Sequence, residues 1–275
     1  TAVGFTTNGM LLDRGKAREL LDAGLDIISI SLAGATRETH GRVRVGSDLE
    51  RIVKNVAYLT ALKRRLRTDE PKVVLLYLML KQNVHELPLA VQMAHEIGAD
   101  ELVATNITYA PSPAQDEMCV FSCPGCQQAD YGPFVREAEE KARDLGLAFR
   151  AYPLHMEEVT VCDEDPLHNT FVTADGAVGP CVYLNMMLEG PIPRSFCGKP
   201  YRVDRLCFGR LGEESLLDIW EGEGYVAFRE AFQERLKALQ ELIFLRRSSP
   251  EDVGAILASR PLPEPCTTCY KAYGL

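Results

Sequence analysis

The sequence predicts an α/β protein with a parallel sheet over residues 1–150, followed by a smaller, cysteine-bearing α+β domain over 151–275. Three observations carry this expectation. Strand-like and helix-like segments alternate through the first half, a rhythm that implies a parallel sheet with right-handed crossovers. One strand candidate, KVVLLYLML at 72–80, is almost wholly apolar, as a parallel strand covered on both faces should be. After about Leu154 the rhythm gives way to short strands around turns, and six of the nine cysteines follow.

The elements can be justified in order. VGFTTNG at 3–9 reads as a strand running into a turn, and DRGKARELLDAG as a helix capped by Asp13 and ended by Gly24. LDIISISLAG is the next strand. SDLERIVKNVAYLTALKRRLR is a long amphipathic helix with Ser47 as its expected cap and Leu49, Ile52, Val53, Val56, Leu59 and Leu62 at helical spacing. KVVLLYLML, the helix HELPLAVQMAHEIGA, the strand DELVATNI, a loop containing CVFSCPGC and the helix YGPFVREAEEKARDLG complete the first half. In the second, TFVTADGAVGPCVYL signals a hairpin around Asp175-Gly176, and residues 211–245 are helical with an interruption near Gly222 and Gly224.

Thirty basic against 39 acidic residues give a net charge of −9 with no basic stripe, which argues against a phosphate backbone as partner. LKRRLR sits at the end of a helix, where cations favour the negative pole of the macrodipole. There is no run of eighteen apolar residues and no secretion leader, so a cytoplasmic location without membrane association is expected. In such a compartment clustered cysteines read as metal ligands or small buried hydrophobes.

The first half resembles the radical S-adenosylmethionine enzymes. FTTNGMLL is similar to that family's third barrel strand and the turn after it, ISISLAGATRETHGRVRVGSDLERIVKNV to the fourth strand and the helix beyond, and MLKQNVHELPLAVQMAHEIGADEL to the fifth unit. The resemblance implies a partial (β/α)6, TIM-like barrel from the third strand onward, with S-adenosylmethionine as cofactor. Asn8, Ser31 and Asn106 then lie beyond the carboxyl ends of strands, where ligands of such sheets bind. Arg44 is suited to a carboxylate through its planar fork. His40 reads as a turn residue. The turn Ser31-Leu32-Ala33-Gly34 departs from the family's Ser-Leu-Asp-Gly at Ala33. No C-x3-C-x2-C and no Gly-Gly-Glu-Pro precede Thr7-Asn8-Gly9, so these residues are expected to lack the radical-generating part and, alone, to be inactive and prone to aggregate along an unpaired first strand.

The second half resembles the SPASM auxiliary-cluster module. Cys162-x13-Gly176-x4-Cys181 matches its C-x(9–15)-G-x4-C arrangement, and Cys266-x2-Cys269 supplies two further thiolates. Thiolates are the preferred ligands of iron–sulfur clusters. One 4Fe-4S cluster is expected, with a four-cysteine zinc site as the rival; Cys207 could replace one ligand, and Cys197 reads as an unpartnered thiol. LCFGRLGEESLLDIWEGEGYVAFREAF, with Trp220 and Arg229, is similar to the module's linker helix.

CVFSCPGC sets Cys119, Cys123 and Cys126 at C-x3-C-x2-C spacing. It follows a late strand, not the first, so it reads either as unligated loop cysteines or as a further metal site. Together the resemblances imply hydrogen abstraction by a 5′-deoxyadenosyl radical, a peptide or protein substrate, and an electron donor such as flavodoxin or ferredoxin. No catalytic residue is identified. The alternative is a non-catalytic, metal-stabilised protein that binds a peptide or partner on a degenerate barrel.

Overall fold

The computed structural model describes residues 1–124, 129–244 and 249–275. Cys126 lies outside them. They form two compact units, Thr1–Ile107 with Met118–Leu154, and Thr108–Glu117 with His155–Leu275.

In chain order the first elements are β1 (Gly4–Thr7), α1 (Arg14–Asp22), β2 (Ile27–Leu32), α2 (Arg37–Val43), α3 (Leu49–Leu66), β3 (Lys72–Leu78), α4 (Leu87–Glu96), β4 (Glu101–Thr105), α5 (Pro113–Asp116), α6 (Gly132–Leu145) and β5 (Ala148–Ala151). The five strands form one parallel sheet in sequence order, β1-β2-β3-β4-β5. Register places Ile30 beside Leu75 and Leu75 beside Leu102, so residues at the same level share a face. One face, with Ile28, Ile30, Leu32, Val73, Leu75, Tyr77, Leu102 and Ala104, is buried in the core with Ala17, Ile52, Val56, Leu87 and Ala138 of the helices. On the opposite face Ser29 and Ser31 are partly exposed. β1 is an edge strand in this sheet, with Val3 and Phe5 58% and 43% exposed.

The caps explain where the helices begin. Asp13 accepts a hydrogen bond from the Lys16 amide, as its position predicts. α3 is capped not by Ser47 but by Asp48, whose carboxylate accepts from the Arg51 amide. Ser47 bonds instead to His40 Nε2 at 3.0 Å. His40 is no turn residue: it lies in α2, fully buried.

Two side chains after β3 brace the turn after β2. Asn83 is fully buried, donates to the carbonyls of Ala33 (3.0 Å) and Leu78 (2.8 Å), and accepts from the Leu80 amide (2.7 Å). Glu86 accepts from the amides of Ala35 (2.7 Å) and Thr36 (3.1 Å) and from the hydroxyls of Thr36 (2.9 Å) and Thr39 (2.6 Å). Burial pushes the Glu86 carboxyl up, but these four bonds outweigh it and hold the group below its ordinary value. Gly34 completes the turn, because a Cβ there would come within 2.4 Å of the His40 nitrogen.

The second unit contains β6 (Phe171–Val172), β7 (Ala177–Gly179), β8 (Ile192–Phe196), β9 (Lys199–Val203), β10 (Gly209–Arg210), α7 (Leu216–Glu221), α8 (Glu223–Phe244) and α9 (Pro250–Ser259). β6 and β7 form the expected antiparallel hairpin, turning at Gly176 with φ of +84°. β8 and β9 form a second hairpin that the sequence pattern did not disclose. Arg235 of α8 is fully buried, pairs with Glu158 at 2.7 Å and donates to the carbonyls of Val159 and Thr160. Asp116 accepts from Ser195 (2.8 Å), the Gly198 amide (2.7 Å) and the Tyr270 hydroxyl, tying α5 and the β8–β9 turn to the residue after Cys269. Among the described residues no helix is long and apolar enough to cross a membrane.

Asn83→Ala leaves one buried amide and two carbonyls unpaired, and should cost roughly 2–4 kcal/mol. Urea unfolding monitored by circular dichroism checks this, and a loss below about 1 kcal/mol would show that the brace is not structural.

Candidate functional site

The carboxyl end of the parallel sheet gathers the residues expected to hold S-adenosylmethionine. Register puts Asn8, one residue beyond β1, level with Ser31 near the end of β2, and Asn106 directly follows β4. Asn8 is exposed, and its side chain accepts from the Met10 amide at 3.0 Å, so it shapes its own turn. Asn106 is buried; its amide nitrogen donates to the Pro153 carbonyl at 2.8 Å, while its Oδ1 has no partner. Arg44, just after α2, also carries a buried Nε without a partner. Burial lowers the pKa of its guanidinium. Neighbouring His40 accepts from the Ala33 amide through Nδ1 (3.4 Å), which leaves its proton on Nε2. Its pKa is lowered by burial and then by Arg44, so the imidazole is neutral at pH 7. Buried polar atoms in native proteins are nearly always paired, so the orphaned Nε of Arg44 after α2 and the orphaned Oδ1 of Asn106 after β4 each suit a polar ligand that would pair it.

The second site is made of sulfur. One cavity is lined by Cys162, Cys181, Cys266 and Cys269, with Glu164, Tyr183, Phe232 and Lys271 around them. Four stretches of local structure deliver the thiols. Cys162 precedes a turn closed by its own carbonyl, and Cys181 follows the β6–β7 hairpin. Cys266 ends a 3₁₀ turn at Glu264–Cys266, and Cys269 precedes another at Tyr270–Tyr273. Burial pushes Cys162 up to about 11 and Cys181 up to about 12, with the nearby sulfurs adding to Cys181. Cys266 is raised well above 9.0, first by burial and then by the other three thiols. Cys269 is raised by burial, against the opposing charge of Arg194. The four are therefore neutral thiols in the metal-free protein, and loading must release protons.

Four thiols lining one cavity are the donor set that an iron–sulfur cluster takes.

The other cysteines lie elsewhere. Cys207 is exposed and donates to the Gly209 carbonyl at 3.3 Å. Cys119 is buried, whereas Cys123 is disulfide-bonded. Cys197 is disulfide-bonded too, not the unpartnered thiol its isolated position in sequence suggested. Trp220 and Arg229 meet, the guanidinium 3.9 Å above the indole, in a cluster with Tyr225 and Phe208 that packs α7 and α8 together. Sequence reasoning passed over Asn83, Glu86, Arg194 and Lys271. Of these only Asn83-x2-Glu86, set just after an apolar strand, left a local trace.

Comparison with known proteins finds two domains. Residues 1–94 match the radical SAM superfamily, and residues 162–270 match SPASM, an iron-sulfur cluster-binding domain. The chain carries both a radical SAM domain and a SPASM domain. These domains imply S-adenosylmethionine and an iron–sulfur cluster as cofactors. It is 28% identical over 233 residues to the tungsten-containing aldehyde ferredoxin oxidoreductase cofactor-modifying protein of Pyrococcus furiosus, covering 83% of this chain and 61% of that one. It is 36% identical over 103 residues to the PqqA peptide cyclase of Bradyrhizobium diazoefficiens, covering 38% and 26%. In fold it is similar to Streptococcus suis SuiB bound to S-adenosylmethionine, with a TM-score of 0.52 at 15% identity over 82% of this chain and 49% of SuiB. The chain thus spans less than two thirds of these relatives.

Cys181→Ala and Cys266→Ala should each abolish iron binding on anaerobic reconstitution, while Cys207→Ala leaves it intact; iron and acid-labile sulfide assays decide. Raised thiol pKa values favour the folded state below the ordinary value and lose that contribution above it. Stability of the metal-free protein should therefore fall as pH climbs from 9.0 toward about 12, less steeply in Cys181→Ser, in melting curves taken across that range.

Proposed function

We propose that the chain is part of a radical S-adenosylmethionine enzyme that abstracts hydrogen from a peptide or protein substrate and holds one auxiliary 4Fe-4S cluster. The reading is carried by the pairing of two features in one chain: a parallel sheet with orphaned polar atoms at its carboxyl end, and four thiols lining a single cavity. Bound S-adenosylmethionine would supply the 5′-deoxyadenosyl radical; the protein orients it and excludes water. Arg44 holds the cofactor's carboxylate, Asn106 Oδ1 accepts a hydrogen bond from an N–H or O–H group of the cofactor, and Ser31 and Asn8 border the cofactor at neighbouring strand ends. Asn83, Glu86 and neutral His40 fix the turn and the helix from which Arg44 projects.

Cys162, Cys181, Cys266 and Cys269 hold the auxiliary cluster. Relatives support the substrate class by their names, one a peptide cyclase and one, SuiB, bound to precursor peptide SuiA. The reading includes an external one-electron donor such as flavodoxin or ferredoxin. It also assigns the protein to the cytoplasm, where Cys162, Cys181, Cys266 and Cys269 would stay reduced for the cluster.

Binding of S-adenosylmethionine, followed by isothermal titration calorimetry, tests the assignment without turnover. Arg44→Gln should weaken it by about 10- to 100-fold, the value of one charge-assisted hydrogen bond. Asn106→Ala should weaken it by about 5- to 10-fold, as for a neutral one. Unchanged affinity in both variants would remove the sheet end as the cofactor site. Saturable peptide binding with no affinity for S-adenosylmethionine would support a non-catalytic binding protein instead.

A further inference from the structure

Arg194, in β8, is 4% exposed. Its Nη1 donates to the Pro265 carbonyl at 2.8 Å and its Nη2 to the Tyr183 carbonyl at 2.9 Å. Pro265 immediately precedes Cys266, and Tyr183 lies two residues after Cys181. The guanidinium thus spans the two segments that bring sulfur to the cavity from opposite ends of the domain's sequence.

Its charge is what sets it apart. A guanidinium stays protonated in proteins, and burying it without an anion is costly. Fully buried Arg235 has Glu158 at 2.7 Å, and Lys271, beside the same cavity, has Asp163 at 3.6 Å. Among the described residues Arg194 has no carboxylate within ion-pairing distance, only the two carbonyls. The fold thus buries a fixed positive charge on two carbonyls of the sulfur-bearing segments, with no carboxylate in an ion pair with it.

We propose that Arg194 is the counter-ion of the group held by Cys162, Cys181, Cys266 and Cys269, and that it raises that group's reduction potential. This rests on the auxiliary-cluster reading above. A cluster bound by four thiolates is anionic and gains one more negative charge when an external donor delivers an electron. A cation fixed beside it in a poorly solvated pocket therefore favours the reduced state. Arg194 acts here through charge, as a tuning residue; its two hydrogen bonds aim that charge.

The test compares the full protein with Arg194→Gln and Arg194→Lys after anaerobic reconstitution. Iron and sulfide are counted, and the midpoint potential is read by electron paramagnetic resonance during dithionite titration. Arg194→Gln should lower the reduction equilibrium constant at least tenfold, about 59 mV for a one-electron couple. Arg194→Lys, which keeps the charge but not the two-carbonyl brace, should hold a full cluster near the original potential. If the glutamine variant fails to retain iron while the lysine variant retains it at the original potential, the charge requirement is supported. A full cluster at unchanged potential in the glutamine variant overturns the proposal, as do equal shifts in both variants or loss of iron from both. Absence of iron in the unsubstituted protein would instead sink the auxiliary-cluster reading, and the inference with it.

Discussion

Four thiols line one poorly solvated cavity in the second unit, with the buried Arg194 guanidinium near enough to act on Cys266 and Cys269, and the surrounding architecture answers to that concentration of polar chemistry. Burial of thiols is cheap while they are protonated and costly once they ionise. Burial of a guanidinium is costly throughout. The two costs have opposite sign in charge, so one anionic group bound by the sulfurs relieves both. That is why the hairpin bearing Cys181, the strand bearing Arg194 and the turns bearing Cys266 and Cys269 can converge with modest apolar packing. The hydrophobic cluster there joins Leu184, Val203, Phe232, Leu262, Cys266 and Ala272, far fewer buried residues than the sheet-and-helix core of the first unit. Small domains commonly make up such a deficit with a metal group.

The first unit solves a different problem. Its buried sheet face is almost purely apolar and specifies itself by packing, at about 25 cal/mol for each Å² removed from water. Buried polar groups gather at the carboxyl end, where chain must leave each strand and turn into a helix, while the Lys63–Asp100 pair marks the opposite end. At the carboxyl end the buried Asn83 and the ionised Glu86 replace water for seven main-chain and side-chain groups. A turn held this firmly can present Ser31 and Arg44 in fixed positions without help from the ligand, which is the meaning of preorganisation.

Much of this was legible in sequence because its causes are local. Alternating apolar runs disclosed the parallel sheet, Asp13 disclosed a helix start, and the Asp175-Gly176 turn disclosed the hairpin before Cys181. Cysteine spacing disclosed the sulfur site because two of its ligands come as a near pair and the other two flank one hairpin. Where local cues competed, the reading slipped by one residue: Ser47 and Asp48 can both cap, and Ser47 was drawn away by His40. Arg194 left no trace, since an arginine between Pro193 and Ser195 looks like any surface strand residue until its burial is known. Cys123 and Cys197 left no trace either, since a loop cysteine reads the same in sequence whether or not it is disulfide-bonded.

Cys162 and Cys269 are 107 positions apart in the chain. A ribosome adding roughly 5–20 residues per second takes on the order of 5–20 s to cover that distance. For most of that interval Cys162 and Cys181 exist without Cys266 and Cys269, while all five strands of the parallel sheet have already been made. A site that needs all four thiols can therefore close only once Cys269 has been added, and a molecule whose synthesis stops before it can never complete its sulfur set.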